Sequence, residues 1–269
     1  MSLRIAALVL ALMLSLLSAG CATAPATGTV NTTSVPSDPW QAWNRKVFAF
    51  NEAIDEAVLK PAAQAYRDVV PALVRRGVGN FFGNIGDIWI GVNNLLQGKV
   101  TDGLSDGGRV LVNSTVGIFG LFDIATELGL EKHDEDLGQT LGKWGIGDGP
   151  YLVLPLLGPS NVRDTFGLIG DLTADPVWQV EEVATRNSLT GLRFVSKRAQ
   201  LLGADTTAEQ AALDKYGYLR SFYIQYRLNQ VYDGQPPRVK DPDDDEASGD
   251  DGATAPQAAP QSDKKENQE

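Results

Sequence analysis

The segment Gly103-Leu-Ser105-Asp-Gly107 has the G-x-S-x-G spacing of a nucleophile elbow, and the chain holds a single histidine, His133. Such an elbow would suit a membrane-anchored lipid hydrolase with Ser105 as its nucleophile. It requires a hydrophobic strand directly before the serine and a helix directly after it. The preceding residues, QGKVTD, do not form a hydrophobic strand, and His133 lies in the charged stretch EKHDEDLG, which predicts a solvated side chain. The sequence therefore favours a protein without catalytic residues and leaves the hydrolase as an alternative.

Composition excludes several other classes of site. With one histidine there is no multi-histidine metal site, and with one cysteine, Cys21, there is no internal disulfide. The net charge of −11 argues against a nucleic-acid partner, because phosphate binding needs a basic patch. The glycines of GIGDGP (145–150) lack the strand and helix of a dinucleotide site, so they are expected to form turns. Hydrophobic residues make up 43% of the chain, enough for a sizeable core.

The N-terminal residues have the order of a secretory signal. Arg4 supplies a positive charge, residues 5–17 are almost wholly apolar, and residues 18–20 are small. The apolar run is too short for a membrane-spanning helix. We therefore predict a lipoprotein signal peptide over residues 1–20.

Cys21 would then be the first residue of the mature chain, where it resembles the lipid-modified cysteine of a bacterial lipobox. Ser18 departs from that pattern, because an aliphatic residue usually stands three places before the cysteine. The alternative is a secreted protein with a free thiol. Ala22 replaces the aspartate that commonly retains lipoproteins in the inner membrane, so an anchor at Cys21 predicts the outer membrane.

The remaining chain divides by composition into three parts. Residues 21–37 are small, polar and proline-containing, as in a flexible tether. Residues 38–233 have the periodicity of a folded domain. Residues 234–269 form an acidic tail, and residues 240–269 carry a net charge of −7 without an aromatic or branched aliphatic side chain. Such a tail cannot bury enough apolar surface to fold, so we predict it to be disordered.

The domain reads as mainly α-helical. Asp38-Pro39 has the form of a helix cap followed by a first-turn proline. Apolar spacing predicts a first helix that includes residues 40–54 and further helices over residues 62–70, 162–172, 177–187, 192–202 and 208–232. Residues 149–160, GPYLVLPLLGPS, are the one good extended candidate because proline and glycine interrupt them.

One helical stretch, residues 70–99, has an unusual polar face. Amides and one carboxylate share a narrow arc and are candidate channel-lining residues: Asn80, Asn84, Asp87 and Asn94. A wide opposite arc contains candidate membrane-facing residues: Phe81, Phe82, Ile85 and Trp89. Gly79, Gly83 and Gly86 lie between the arcs, where small residues let helix backbones approach closely.

Two interpretations fit this stretch. Amides in place of lysine and glutamate suit a water-lined cavity within a domain that lies partly in one membrane leaflet. The alternative is a buried helix of a soluble protein, with its amides bonded internally. Residues 109–123 and 149–159 are also free of internal charge and shorter than a membrane span. Three such segments favour immersion in the membrane.

Several longer motifs occur in a characteristic order. They are DPWQAWNRKVFAFN (38–51), YRDVVP (66–71), NNLLQGK (93–99), GRVLVNSTVGIFGLFDIAT (108–126), LGQTLGKWGIGDGPYLVLPLLGPSNVRD (137–164) and RAQLL (198–202). Together they resemble the MlaA (VacJ) family of phospholipid-transport lipoproteins. The resemblance covers nearly all of the predicted domain.

That resemblance implies a single helical, ring-like domain with interfacial membrane-embedded helices and little β structure. It implies an outer-membrane lipoprotein at the periplasmic face, with an amphipathic channel that removes misplaced phospholipid from the outer leaflet. The lipid would pass to the periplasmic carrier MlaC, and trimeric porins would be partners. No chemistry on the lipid and no cofactor are implied. A porin-associated structural lipoprotein stays open as a further alternative.

Overall fold

A computed structural model of the chain describes residues 38–203 and 214–237. The predicted signal peptide (residues 1–20), Cys21, the predicted tether and residues 238–269 of the predicted tail lie outside these residues. The prediction of a mainly helical fold with little β structure is confirmed. None of the described helices combines the length and apolarity needed to cross a membrane.

The described part of the chain contains nine α-helices and one β-hairpin. The helices are α1 (Gln41–Ile54), α2 (Lys60–Val69), α3 (Ala72–Leu96), α4 (Val100–Thr115), α5 (Ile124–Glu127), α6 (Leu137–Lys143), α7 (Val162–Ala174), α8 (Val183–Leu201) and α9 (Lys215–Val231). A π-helical turn, Asp55–Leu59, joins α1 to α2, and a 3₁₀ turn, Pro176–Gln179, precedes α8. Strands β1 (Tyr151–Leu154) and β2 (Gly158–Asn161) pair antiparallel, with Tyr151 opposite Asn161.

The hairpin occupies the predicted extended segment and packs between α1 and α9. Val47, Tyr151, Val153 and Tyr216 form a small apolar core there. Asn44 is fully buried beside it, donating from Nδ2 to the Tyr151 carbonyl at 3.1 Å and accepting from the Val153 amide at 2.9 Å. These two bonds satisfy backbone groups of β1 and hold the hairpin on α1.

The start of α1 differs from the prediction. The helix begins at Gln41, two residues after Pro39, and Asp38 does not cap it with its side chain. Instead the Asp38 carboxylate accepts hydrogen bonds from Asn44 Nδ2 at 2.8 Å and from the Tyr216 hydroxyl. Asp38 therefore ties the first helix to α9.

The predicted helices over residues 177–187 and 192–202 were wrong in their boundaries. The 3₁₀ turn ends at Gln179 and the chain is extended at Val180 and Glu182. The Glu182 carboxylate then accepts from the Ala184 and Thr185 amides, so one continuous helix, α8, starts at Val183. Of the predicted helix over residues 208–232, residues 215–231 form α9 and residues 208–213 lie outside the described part.

The close approach of helices α3 and α4 occurs at glycines other than the three that were predicted, Gly79, Gly83 and Gly86. Helices α3 and α4 pack along each other, with Gly91 facing Gly103. A Cβ on Gly103 would lie 2.7 Å from the Leu95 side chain and 3.0 Å from the Gly91 carbonyl oxygen. At Gly86 a Cβ would have no atom within 4 Å. The prediction that Gly86 permits close helix contact was therefore wrong.

Burial is inverted relative to an ordinary soluble domain. Nine hydrophobic side chains are buried among the described residues, against sixteen polar or charged ones. Large apolar side chains are exposed instead, including Leu104 at 68%, Leu111 at 69% and Phe119 at 77%. Many large apolar side chains exposed at once suit an apolar environment or a partner.

Candidate functional site

Polar side chains line the contact between α3 and α4, which we call the polar interface. Asn84 Nδ2 donates to Ser114 Oγ at 2.9 Å, and Asn94 Nδ2 donates to Asp106 Oδ2 at 2.8 Å. Between them the Asp87 carboxylate meets the Arg109 guanidinium, both side chains being 1% exposed. Three of the polar-arc residues of α3 therefore face a second polar arc on α4.

Sequence reasoning missed the α4 half of this interface. Asp106, Arg109 and Asn113 recur at intervals of three and four residues, the spacing of one helix face. A matching pair of such arcs on two neighbouring helices is the signal that would have revealed the contact. The rest of α4 carries three interior glycines, which obscured it as a helix.

Arg109 is the centre of a buried charge network. Its Nε lies 3.3 Å from Asp87 Oδ2, and its Nη2 donates to both oxygens of Asp123 at 3.0 and 3.1 Å. Its Nη1 donates to Thr126 Oγ1 and to the Leu130 carbonyl. All the nitrogen atoms of this guanidinium are therefore satisfied, as burial of an arginine requires.

Asp123 stays ionised in this network. Burial would raise its pKa, but hydrogen bonds from Thr126 and Asn113 and the charge of Arg109 outweigh that effect and lower the pKa to about 2. Lys132, whose side chain is 46% exposed, donates from Nζ to Asp87 Oδ1 at the outer side of the network. Two carboxylates thus face two cations.

A cavity of about 80 Å³ opens between these groups. Asn80, Asn84 and Asp87 line it from α3, with Arg109 and Lys132 among the other lining residues. Three of the four candidate channel-lining residues therefore share one cavity, and their role in a lipid passage stays a prediction.

The prediction that Asn94 lines the same passage needs correction, because Asn94 does not line this cavity. It is fully buried at the Asp106 end of the polar interface. The reason is geometric, since the polar arc of α3 follows α4 over three helical turns and the cavity opens beside only part of it.

The four candidate membrane-facing residues do not form the exposed face of α3. Phe82 is 6% exposed and lies beneath the Arg193 guanidinium of α8, so its assignment to the surface was wrong. Phe81 and Ile85 are half-buried, and Trp89 donates from Nε1 to Asp171 of α7 at 2.6 Å. Members of the wide apolar arc pack on other helices, and the exposed large apolar side chains of α3 lie only partly on that arc: they are Leu73, Val74, Ile88, Val92, Leu95 and Leu96.

The proposed nucleophile elbow does not form. Ser105 lies within α4, five residues after the helix begins, so no strand precedes it. His133 was predicted to be solvated, and this was wrong: its Nδ1 lies 2.9 Å from Oδ1 of the fully buried Asp106. His133 thus supports the carboxylate that holds Asn94. Among the described residues, no group of acidic and histidine side chains is suited to hold a metal ion.

A second polar centre joins α6, α7 and α9. Arg227 of α9 bridges Asp136, which caps α6, and Asp164 in the first turn of α7. Burial would raise the pKa of Asp164, but the hydrogen bonds and charge of Arg227 lower it below its ordinary value. Gly138 permits this contact, because a Cβ there would lie 2.4 Å from Arg227 Nη2.

A larger cavity of about 200 Å³ lies beside this second centre. Its lining is amphipathic, with Asp136, Asp164, Asp171, Tyr223 and Arg227 on the polar side and Leu154, Leu157, Pro159 and Leu168 on the apolar side. Burial raises the pKa of Asp171 above its ordinary value, although Trp89 and the Leu137 amide donate to it. Sequence reasoning did not identify this centre, because its residues are far apart along the chain.

Comparison with known proteins gives a consistent result. A family model described as MlaA lipoprotein matches residues 36–230. The chain is 35% identical to the Escherichia coli (strain K12) protein named intermembrane phospholipid transport system lipoprotein MlaA, over 70% of this chain and 76% of that protein. It is 38% identical to an uncharacterised Rickettsia typhi protein, over 68% of this chain and 74% of that one.

A solved structure is also similar. It comes from work described as "Structural basis for maintenance of bacterial outer membrane lipid asymmetry". The match has a TM-score of 0.65 and 31% sequence identity, and it covers 72% of this chain and 99% of that one. The similarity therefore extends over nearly the whole of the solved chain.

Proposed function

The chain belongs to the MlaA lipoprotein family, and from that premise we propose that it transports phospholipid between membranes. By this transport it maintains the lipid asymmetry of the bacterial outer membrane. The names of its relatives and the subject of the similar solved structure support this function. The substrate is phospholipid, and the site of action is the outer membrane.

The main structural support for this proposal is that more polar and charged side chains than hydrophobic ones are buried among the described residues. In a membrane, ionisable side chains face the interior of the protein and pair with one another, as Arg109 does with Asp87 and Asp123. The apolar side chains then contact acyl chains, which suits the exposure of Leu104, Leu111 and Phe119. Since no described helix can span a bilayer, we propose that the domain lies within one leaflet.

The proposed path of the lipid starts in the outer leaflet. A misplaced phospholipid enters an amphipathic channel of a ring-like domain, where Asn80, Asn84 and Asp87 offer its headgroup hydrogen bonds. It leaves on the periplasmic face, where the carrier MlaC receives it, and trimeric porins associate with the protein. The polar lining of the 80 Å³ cavity supports the first step, and the family resemblance supports the carrier and the porins.

Transport of this kind breaks no bond in the lipid. Purified protein incubated with labelled phospholipid and MlaC should transfer intact lipid and release no fatty acid. Ser105→Ala should transfer lipid at the wild-type rate, because the serine lies on a helix without an elbow. Fatty-acid release that disappears in Ser105→Ala would establish the hydrolase instead. A purified protein that carries and transfers no phospholipid would favour the porin-associated structural alternative.

We propose that a lipid anchor at Cys21 holds the mature chain in the outer membrane. One acyl chain gives only marginal binding, whereas several chains on one cysteine together with apolar insertion give a stable hold. We expect Cys21→Ala to leave the domain folded but to deplete it from the outer membrane, measured by membrane fractionation and immunoblotting. Cys21→Ser is the matched control for side-chain size. An outer-membrane content equal to wild type in both variants would contradict the anchor.

A further inference from the structure

The lining of the 80 Å³ cavity beside the polar interface includes one buried acceptor without a donor, Asn84 Oδ1. The Asn84 side chain is 7% exposed, and its Oδ1 is buried and accepts no hydrogen bond from the described residues. Each oxygen of the neighbouring Asp87 accepts one bond, from Arg109 or from Lys132. A carboxylate oxygen can accept more than one bond. The inner wall is therefore suited to a group that brings N–H donors.

The cations of the cavity differ in how firmly they are held. All the nitrogen atoms of Arg109 are engaged and its side chain is 1% exposed. Lys132 is 46% exposed and donates one of its three N–H groups to Asp87. Lys132 is thus the cation that an incoming ligand can displace.

A turn with exposed apolar residues contacts two of the residues that line the cavity, Asn80 and Asn84. Residues 116–122, which we call the apolar turn, connect α4 to α5, and the Leu121 carbonyl accepts from Asn80 Nδ2 at 3.1 Å. Gly120 packs against Asn84 so closely that a Cβ there would lie 2.7 Å from Asn84 Cβ. Phe119 and Ile118 of the turn are 77% and 54% exposed. A small polar cavity and an apolar surface therefore adjoin, as an amphipathic ligand requires.

We propose that this cavity selects phospholipids whose headgroup ends in a primary ammonium group, as phosphoethanolamine does. The ammonium group donates to Asp87 and to Asn84 Oδ1 in place of Lys132, and Lys132 turns to the adjacent phosphate. Each charge keeps a partner through this exchange, so no ion is left buried alone. The acyl chains then lie along the apolar turn. This specificity rests on the proposed transport function and names the lipid class that the site takes.

Other common headgroups lack one of the required features. A trimethylammonium group has the same charge but no N–H donor, and it is bulkier than a primary ammonium group. A glycerol headgroup has no positive charge and cannot replace Lys132 on Asp87. Headgroups with zero, one, two and three N-methyl groups keep the positive charge but lose one N–H donor at each step. Comparing them therefore separates the effect of hydrogen bonding from that of charge.

The experiment uses the full-length protein in detergent, exchanged with mixed micelles of equimolar lipids with identical acyl chains. The lipids are phosphatidylethanolamine, its mono-, di- and trimethylated forms and phosphatidylglycerol, and mass spectrometry gives the composition retained. We expect the primary ammonium lipid to be enriched about tenfold over the trimethylated one, the factor of one charge-assisted hydrogen bond. Retention of all five lipids in their input ratio would overturn the headgroup proposal while leaving the transport function intact. Failure to retain or transfer any of them would contradict the transport function itself.

Two variants of one residue provide the structural control. Asn84→Leu removes the free acceptor; although it should no longer transfer lipid, its apolar turn still holds acyl chains, and the retained lipids should return to their input ratio. Asn84→Asp keeps the shape, and the Ser114 hydroxyl can turn to donate to it, so the preference for primary ammonium should persist or increase. A purely structural role of Asn84 predicts the same change of ratio in both variants. Enrichment that survives Asn84→Leu would overturn the assignment.

Soluble phosphoethanolamine distinguishes a lipid site from a site for a free amine. Added in excess during the exchange, it should not abolish the enrichment, because it has no chains to lie on the apolar turn. Tight binding of phosphoethanolamine alone, measured by calorimetry and lost in Asn84→Leu, would show that the cavity serves a free solute instead.

Discussion

Arg109→Met is expected to destabilise the protein by about 3–5 kcal/mol, the cost of removing one partner from a buried ion pair. The substitution leaves Asp87, which is 1% exposed, with Lys132 as its one cationic partner. It also removes the cation that, with Thr126 and Asn113, lowers the pKa of Asp123. The apolar replacement fills similar volume, so the loss reports the missing charge more than a cavity.

The measurement is the unfolding midpoint in detergent, followed by circular dichroism, against a matched control. Arg67→Met makes the same substitution in the exposed ion pair of Arg67 with Asp68. Loss of that pair should lower the free energy of unfolding by less than about 1 kcal/mol. A loss in Arg109→Met no larger than in Arg67→Met would mean that the buried network does not stabilise the fold. The two variants together test whether the polar interior is structural.

The polar face of α3 could be predicted from the sequence, but its partner could not. Periodicity places Asn84, Asp87 and Asn94 on one arc, and all three do face α4. Helix α4 itself contains Gly103, Gly107 and Gly108, each unfavourable in an isolated helix. Tertiary packing outweighs the low helix propensity of glycine, because a side chain at position 103 would come too close to Leu95 and to the Gly91 carbonyl oxygen. Local propensity cannot contain this information.

Burial of individual side chains was also beyond the sequence. Phe82 and Val92 lie on the same apolar arc of α3, yet Phe82 is 6% exposed and Val92 is 37% exposed. The difference depends on where α8 crosses α3, with Arg193 over the Phe82 ring. His133 in its charged segment gave a similar error, because the buried Asp106 that it contacts is 27 residues away. Long-range contacts decide which members of an amphipathic pattern meet solvent, lipid or protein.

Asn84→Leu and Asn94→Leu should have opposite effects, although both replace a buried amide of α3 by leucine. Asn84 lines the cavity and its one side-chain bond goes to the Ser114 hydroxyl. Its replacement should cost less than about 1 kcal/mol of stability but abolish phospholipid transfer, because leucine makes the inner wall of the cavity apolar. Asn94 donates to the fully buried Asp106 carboxylate and lies away from the cavity. Its replacement should lower the free energy of unfolding by about 1–3 kcal/mol, the cost of leaving one buried acceptor, Asp106 Oδ2, without a donor.

Two measurements on each variant decide between a cavity that carries headgroups and a packed core. Transfer of labelled phospholipid to MlaC is measured at a temperature where both variants are folded, and the unfolding midpoint is measured in the same detergent. We expect Asn94→Leu to transfer lipid at close to the wild-type rate while it remains folded, and Asn84→Leu to be stable but inactive. If Asn84→Leu instead transfers lipid normally and unfolds as readily as Asn94→Leu, the amides of α3 serve the polar interface alone, and the headgroup path lies elsewhere in the protein.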